Sequence, residues 1–284
     1  SDDPRVNLAA GLFHANEAIK NLEKIVSLKK PDGFFDPNKL VEEGAQDNLD
    51  EDEEAKTIED KARNSRYPML SFSNTDMAFS QDLLVAGSYH GFNIYSLAND
   101  GMPELISSVI CPGGQGDVSI VEHLLIMSVE ETRGRIDCGL QGAGSEPTPD
   151  RFRGIRIFDI SNPQNPMQVG IVQTCRGSHT HSVVNARTNE GNIIVYNSGT
   201  SSVRDQDELE TCFEAIPGDN RTALFRIDVI EIPIDNPSSS RIVKSPTVFA
   251  DEETGVLAGL WRGGDHGDET QSTSRTDQCH DITV

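Results

Sequence analysis

Positive charge is scarce in this chain. Its 284 residues carry 24 Lys and Arg against 46 Asp and Glu, a formal net charge of −22. Nucleic acid needs a basic surface to neutralise its phosphates, so it is excluded as an expected partner. Long apolar runs are missing too. None approaches the roughly 20 residues that cross a bilayer, and no membrane span is expected. No Cys-x-x-Cys pair occurs, which removes zinc-finger spacing. No Gly-x-Ser-x-Gly, His-Glu-x-x-His or Walker pattern is present, so the common catalytic and nucleotide-binding signatures are unfilled. The glycines of 139–144 (GLQGAG) do not lie between a strand and a helix, where a dinucleotide-binding loop belongs.

What is present is acidic. Such a surface suits cations such as Ca²⁺, or a salty medium; Arg outnumbers Lys, and nearly all Lys precedes residue 62. The start, Ser1-Asp2-Asp3-Pro4, reads as a mature, processed terminus. An exported protein of the periplasm or cell surface is therefore expected. The five cysteines are Cys111, Cys138, Cys175, Cys212 and Cys279. All but the last sit in loops rich in Gly, Pro or polar residues, where an exported protein places disulfides. Cys111 and Cys175 hold equivalent places, since each precedes a repeat start by six residues. Pairing the two together and pairing each with Cys138 or Cys212 are both open. The odd count leaves one partner missing.

Two regions follow from periodicity. Over residues 1–66 an N-terminal helix and an acidic linker are expected. Leu8, Leu12, Ala15, Ala18, Ile19, Leu22, Ile25 and Val26 recur at three- and four-residue steps, which predicts a helix through residue 30, stopped by Pro31-Asp32-Gly33. Residues 40–66 are dominated by Asp and Glu; their Asp-x-Asp spacings lack the central Gly and terminal Glu of an EF-hand, so a solvated linker is expected.

From residue 67 the period becomes 2. Strand-like runs recur in groups of four, at 76–79, 82–88, 91–97 and 103–109, then at 117–120, 123–129, 154–160 and 167–172. A third group covers 181–184, 192–199, 223–229 and 241–243, and 281–284 opens a fourth. Units of about 40 residues with four strands each are the signature of β-propeller blades. The expected fold is thus an all-β propeller of four-stranded blades over residues 67–284, about three blades plus the start of a fourth. A ring needs at least four. The remainder is expected beyond Val284, or from a protein partner or a second copy.

The run Gly154-Ile155-Arg156-Ile157-Phe158-Asp159-Ile160-Ser161-Asn162-Pro163, with Pro166 before the next strand, resembles the LVIVD-repeat family of exported bacterial β-propellers. Residues 91–97 and 223–229 resemble degenerate copies. Cys175 to His181 and Cys279 to Val284 resemble entry strands of the same family. The resemblance implies the fold and export, and no established activity. A more distant resemblance, to selenium-binding-protein-type propellers, implies only the idea of histidines near the ring axis serving a copper-dependent oxidase.

Asp76, Asp117, His181 and Asp281 hold equivalent places at the starts of the units. With His179 and His280 beside them, they form the candidate metal set. In an extended strand His179 and His181 would project to one side, toward one ligand. Imidazole with carboxylate suits Zn²⁺, Cu²⁺ or Mn²⁺; carboxylate alone suits Ca²⁺. The competing structural role is that each unit-start Asp accepts backbone hydrogen bonds and ties neighbouring blades together. Asp265-His266-Gly267-Asp268-Glu269, near Trp261, reads as an exposed loop. The expected function is a binding or scaffold protein, self-assembling or holding a partner. The alternative is a transition-metal enzyme with axial histidines.

Overall fold

The computed structural model describes residues 3–11, 15–34, 73–214, 221–251, 253–257 and 276–284. Within them twelve strands form three four-stranded antiparallel sheets, each taken up in chain order. The first holds β1 (Asn74–Ser80), β2 (Leu83–Ser88), β3 (Gly91–Asn99) and β4 (Met102–Ile110). The second holds β5 (Val118–Val121), β6 (Leu124–Val129), β7 (Gly154–Asp159) and β8 (Met167–Gln173). The third holds β9 (Thr180–Asn185), β10 (Asn192–Ser198), β11 (Asp228–Pro233) and β12 (Arg241–Lys244).

Period-2 alternation explains the stacking. In the middle sheet both faces are apolar, so β6 is buried at every position. Leu125, Met127 and Phe158 pack on Ala78, Val85, Phe92 and Ile94 of the first sheet. Leu124, Ile126, Ile155 and Ile157 pack the other way, on Ile193, Val195, Ile230 and Ile232 of the third. Phe92 and Phe158 meet edge to face at 4.9 Å. Each such fully buried side chain contributes about 1.5–3 kcal/mol.

Turn chemistry repeats with the strands. Asp100 and Gly101, both with positive φ (53° and 75°), close the β3–β4 hairpin as a primed turn requires. Gly91 and Gly154 open the third strand of their sheets at φ 131° and 144°, and a Cβ at either would lie 2.0 Å from the carbonyl of Val109 or Val172. The Asp-Ile-Ser-Asn-Pro corner is an Asx turn: Asp159 Oδ1 accepts from the Ser161 N–H at 2.8 Å and from its hydroxyl. The corner reaches back to the preceding sheet, where Ser107 Oγ donates to Pro163 O at 2.6 Å. The corner of the third sheet does the same: Pro237 O presses on Gly170 of β8, with room for no Cβ.

Three expectations are corrected. The N-terminal helix is absent: residues 3–11 and 15–34 run as turns and irregular chain. Leu22 is 83 % exposed and Ile25 66 %, and Asn21 takes φ 60°. An apolar stripe makes a stable helix only against a surface, and the described residues of this one are exposed up to Lys30. There the segment anchors: Lys30 Nζ donates to Ser73 O, its ammonium stands over the Phe34 ring, and Phe34 is buried. Second, the third strand of the third sheet begins at Asp228, not at 223. Ala223 packs instead against the buried cysteines Cys175 and Cys212, leaving the alternation Ile230-Glu231-Ile232 to form the ladder. Third, residues 281–284 form no ladder strand, although they lie beside β9, where Ser182 Oγ donates to Ile282 O. The acidic linker over 40–66 and the loop at 265–269 with Trp261 lie outside the described residues.

The disulfides join Cys111 to Cys138 and Cys175 to Cys212; Cys279 is a thiol. Each cysteine before a repeat start therefore pins the insertion nearest to it. No helix among the described residues is long and apolar enough to cross a membrane.

His90, between β2 and β3, gives a pH dependence. Burial, then the charges of Arg133 and Lys30, push its imidazole down to about 4. The unfolded ring takes its proton near 6.5, the folded one only near 4. Stability from the neutral ring is full above about 6.5 and is lost as pH falls toward 4. His90→Gln is expected to flatten this limb of stability against pH, measured by urea unfolding. An unchanged limb contradicts the assignment.

Candidate functional site

The starts of β1, β5 and β9 lie together, and two sets of side chains gather there. The first is structural in its bonding, with His181, Ser128 and Ser178 buried and the carboxylates Asp76 and Asp117 half-buried. Asp76 Oδ2 accepts from the Val118 N–H at 3.0 Å, and Asp117 Oδ2 accepts from the His181 N–H at 2.8 Å. Each carboxylate thus ties its own sheet to the next. Asp117 also pairs with His181 Nδ1 at 2.8 Å, and that nitrogen lies 2.8 Å from Ser128 Oγ, itself 2.6 Å from Ser178 Oγ. Burial works to raise Asp117, but its bonds and charge interaction with His181 outweigh burial and hold it below the usual range. Its neighbour Asp76 is raised, by burial first and by Asp117 beside it.

The second set is open to solvent. His179, His280 and Asp281 bring one ligand atom each to within 4.8 Å of one another. The two imidazoles lie 4.1 Å apart at 48°. His280 Nδ1 is 2.8 Å from Asp281 Oδ2, and this contact first of all lowers the Asp281 carboxyl. His179 is anchored from behind: Nδ1 lies 2.7 Å from Glu130 Oε2. Glu130 Oε1 in turn accepts from the Thr200 hydroxyl at 2.8 Å and the Ser201 N–H at 3.2 Å. Burial pulls the His179 imidazole down, but Glu130, with Asp281 and Asp117 farther off, leaves it above its ordinary value. Beside it a pocket of about 190 Å³ is lined by Thr75, Asp76, Gln115, Asp117, His179 and Thr180.

Of the six candidate metal residues, the structure gathers His179, His280 and Asp281. It places Asp76 at the pocket wall and joins Asp117 to His181. The expectation that His179 and His181 face one ligand fails because His179 precedes β9. The strand rule for alternate side chains does not reach it, and the two rings turn to different carboxylates. Glu130 was missed. It is the residue after β6, and comparing the residues that follow the second strands (Tyr89, Glu130, Gly199) singles it out as a carboxylate.

The arrangement can hold a transition metal. A histidine whose Nδ1–H is held by a carboxylate presents Nε2 in fixed orientation, and Glu130 provides this for His179. Tetrahedral bonds of about 2.0–2.1 Å require ligand atoms about 3.4 Å apart, so the three groups must close slightly. The Gln115 amide nitrogen, 2.6 Å from His179 Nδ1 and 2.9 Å from Nε2, must turn aside. Two imidazoles and one carboxylate suit Zn²⁺ or Cu²⁺ and disfavour Ca²⁺, which takes oxygen ligands.

No family model matches this sequence, and no curated protein matches it. Among solved structures it is similar to Kuenenia stuttgartiensis hydrazine synthase, with 9% identity and TM-score 0.35, over 67% of this chain and 39% of that one. It is similar to a functionally unknown protein from Desulfotomaculum acetoxidans DSM 771, with 16% identity and TM-score 0.25, over 66% of this chain and 61% of that. Saccharomyces cerevisiae Sqt1 aligns with 13% identity and TM-score 0.24, over 62% of this chain and 63% of that. The chain thus spans less than two thirds of each of these proteins.

Proposed function

We propose that the chain is part of an exported β-propeller of the LVIVD-repeat kind, a binding protein that takes a transition-metal ion where β1, β5 and β9 begin. The observation that carries the function is the convergence of His179, His280 and Asp281 in front of Glu130. Three things support the propeller reading: the in-order four-stranded sheets, the carboxylate ties between first strands, and the corners that reach the preceding sheet. Further blades, from other chain or a second copy, would cover the outer row Phe79, Leu84, Tyr95 and Leu105 on the first sheet, where Phe79 is 61 % exposed. Two disulfides support export, since such bonds persist in oxidising compartments.

A second reading, a metal-dependent enzyme, is favoured by the ligand count: three protein ligands leave a fourth position for water or substrate. Either reading requires metal. Titration calorimetry with Zn²⁺ should give one site per chain, and His280→Ala should weaken it at least 10-fold. Glu130→Gln, which keeps one accepting oxygen for Thr200 and Ser201 and removes the charge beside His179, should weaken it about 10-fold. No stoichiometric binding of Zn²⁺ or Cu²⁺ would refute the site.

A further inference from the structure

A second cluster lies away from the histidines, between the loop after β6 and the insertion after β10. Three arginines converge there in a protein of strongly negative charge. Arg151, Arg153 and Arg204 are all buried, at 6 %, 2 % and 3 % exposure. One carboxylate serves two of them. Glu208 Oε1 accepts from Arg151 Nη1 at 2.6 Å and Thr148 N at 3.2 Å, and Oε2 accepts from Arg204 Nε at 2.9 Å. Arg153 has no such partner. Its Nη1 donates to Ser201 Oγ and Ser202 O at 2.8 and 2.9 Å, and its buried Nε donates to nothing. No carboxylate among the described residues forms a direct ion pair with it; the charges of Glu208 and Glu130 reach it only from farther off.

A buried cation without a counter-ion costs several kcal/mol. Arg156, whose Nε is likewise buried without a partner, offsets the cost differently: it stacks on Phe152 at 4.3 Å and donates to three oxygens, those of Arg135, Ile136 and Gln168. Arg153 instead lines a pocket of about 330 Å³, together with Arg151 and the hydroxyl residues Thr132, Ser145 and Ser202. Two carboxylates also border it: Glu208, whose oxygens are taken up by Arg151 and Arg204, and Asp205, which is exposed and whose Oδ1 accepts from the Asp207 N–H.

We propose that this pocket binds a small oxyanion, the carboxylate or phosphate group of a ligand, with Arg153 as its charged anchor and the Thr132, Ser145 and Ser202 hydroxyls as neutral donors. The guanidinium presents a planar fork matched to either group. The proposal does not rest on the metal reading, although Ser201 adjoins both places: its N–H donates to Glu130 Oε1 and its hydroxyl accepts from Arg153 Nη1.

The test is calorimetric titration of the full chain with sodium phosphate and, separately, sodium acetate, each against sodium chloride at equal ionic strength. A saturable heat with phosphate alone assigns a phosphate-bearing ligand; with acetate alone, a carboxylate; with both, the shared oxyanion chemistry. Arg153→Met is expected to fold, because it removes an uncompensated charge, and to weaken binding at least 10-fold. Should it fail to fold, the surface double variant Ser145→Ala with Ser202→Ala is expected to weaken binding at least threefold. Heats no different from chloride overturn the proposal. So does binding undiminished in Arg153→Met, or in the serine variant when Arg153→Met does not fold.

Discussion

Glu208→Gln is expected to destabilise the protein by about 3–5 kcal/mol, the range for removing one partner of a buried ion pair. The carboxylate is 1 % exposed in its side chain and lies between Arg151 and Arg204, whose side chains are 7 % and 1 % exposed. Glutamine keeps the shape but replaces one accepting oxygen with an NH₂. Whichever way the amide turns, a guanidinium then meets another donor, and two cations stay buried without an anion. The expected readout is a fall in Tm of the order of 10 °C. The comparison is Glu122→Gln, which breaks the pair with Arg187, where both side chains are about half exposed. Its cost should be below about 1 kcal/mol. Adding Arg151→Met to Glu208→Gln should recover part of the loss, since the buried charge goes with it. A Glu208→Gln loss below about 1 kcal/mol contradicts the account.

That network illustrates what the sequence could and could not reveal. The strands were legible wherever one residue in two is apolar and a turn residue bounds the run: eleven of the expected strands coincide closely with those formed. Two do not: 281–284 forms no ladder strand, and 223–229 has the same alternation as a strand. The latter is drawn off by the Cys175–Cys212 bond, a contact between distant residues that no local pattern encodes. The N-terminal stripe shows the opposite limit. Its period is helical, but helix formation depends on a packing surface that periodicity cannot supply. At the candidate site, position in the repeat picked out Asp281, adjacency added His280 and the His-x-His spacing added His179, while Glu130 lay in a different unit from His179. The arginine cluster was invisible for a related reason. Arg151, Arg153 and Arg204 look like ordinary surface charges in two polar loops, and only the closing of those loops on each other buries them.

The second large effect concerns the bond that closes them. Replacing Cys175 and Cys212 together with alanine is expected to lower stability by about 4 kcal/mol, since the bridge spans 37 residues and loop entropy grows slowly with length. The bridge between Cys111 and Cys138 spans 27, so by chain entropy alone its removal should cost only slightly less. The two should differ in access. Cys175 and Cys212 are both buried, at 1 % and 2 % exposure, whereas Cys138 is partly open. Thiolate attack needs access to sulfur, so mild reductant should open Cys111–Cys138 first, as read by alkylation and mass spectrometry. They should also differ in coupling. Arg204 N–H donates to Cys175 O at 2.9 Å, and Cys212 N–H donates to Leu209 O at 3.0 Å. The bridge therefore holds both ends of the segment that carries Arg204 and Glu208. In the Cys175→Ala, Cys212→Ala background the segment can loosen and hydrate its arginines, and Glu208→Gln should then cost at least 1 kcal/mol less than in the parent. The Cys111→Ala, Cys138→Ala background should leave more of that cost in place. Equal Glu208→Gln costs in all three backgrounds would show that the bridge and the ion network stabilise the protein independently, and would refute the coupling.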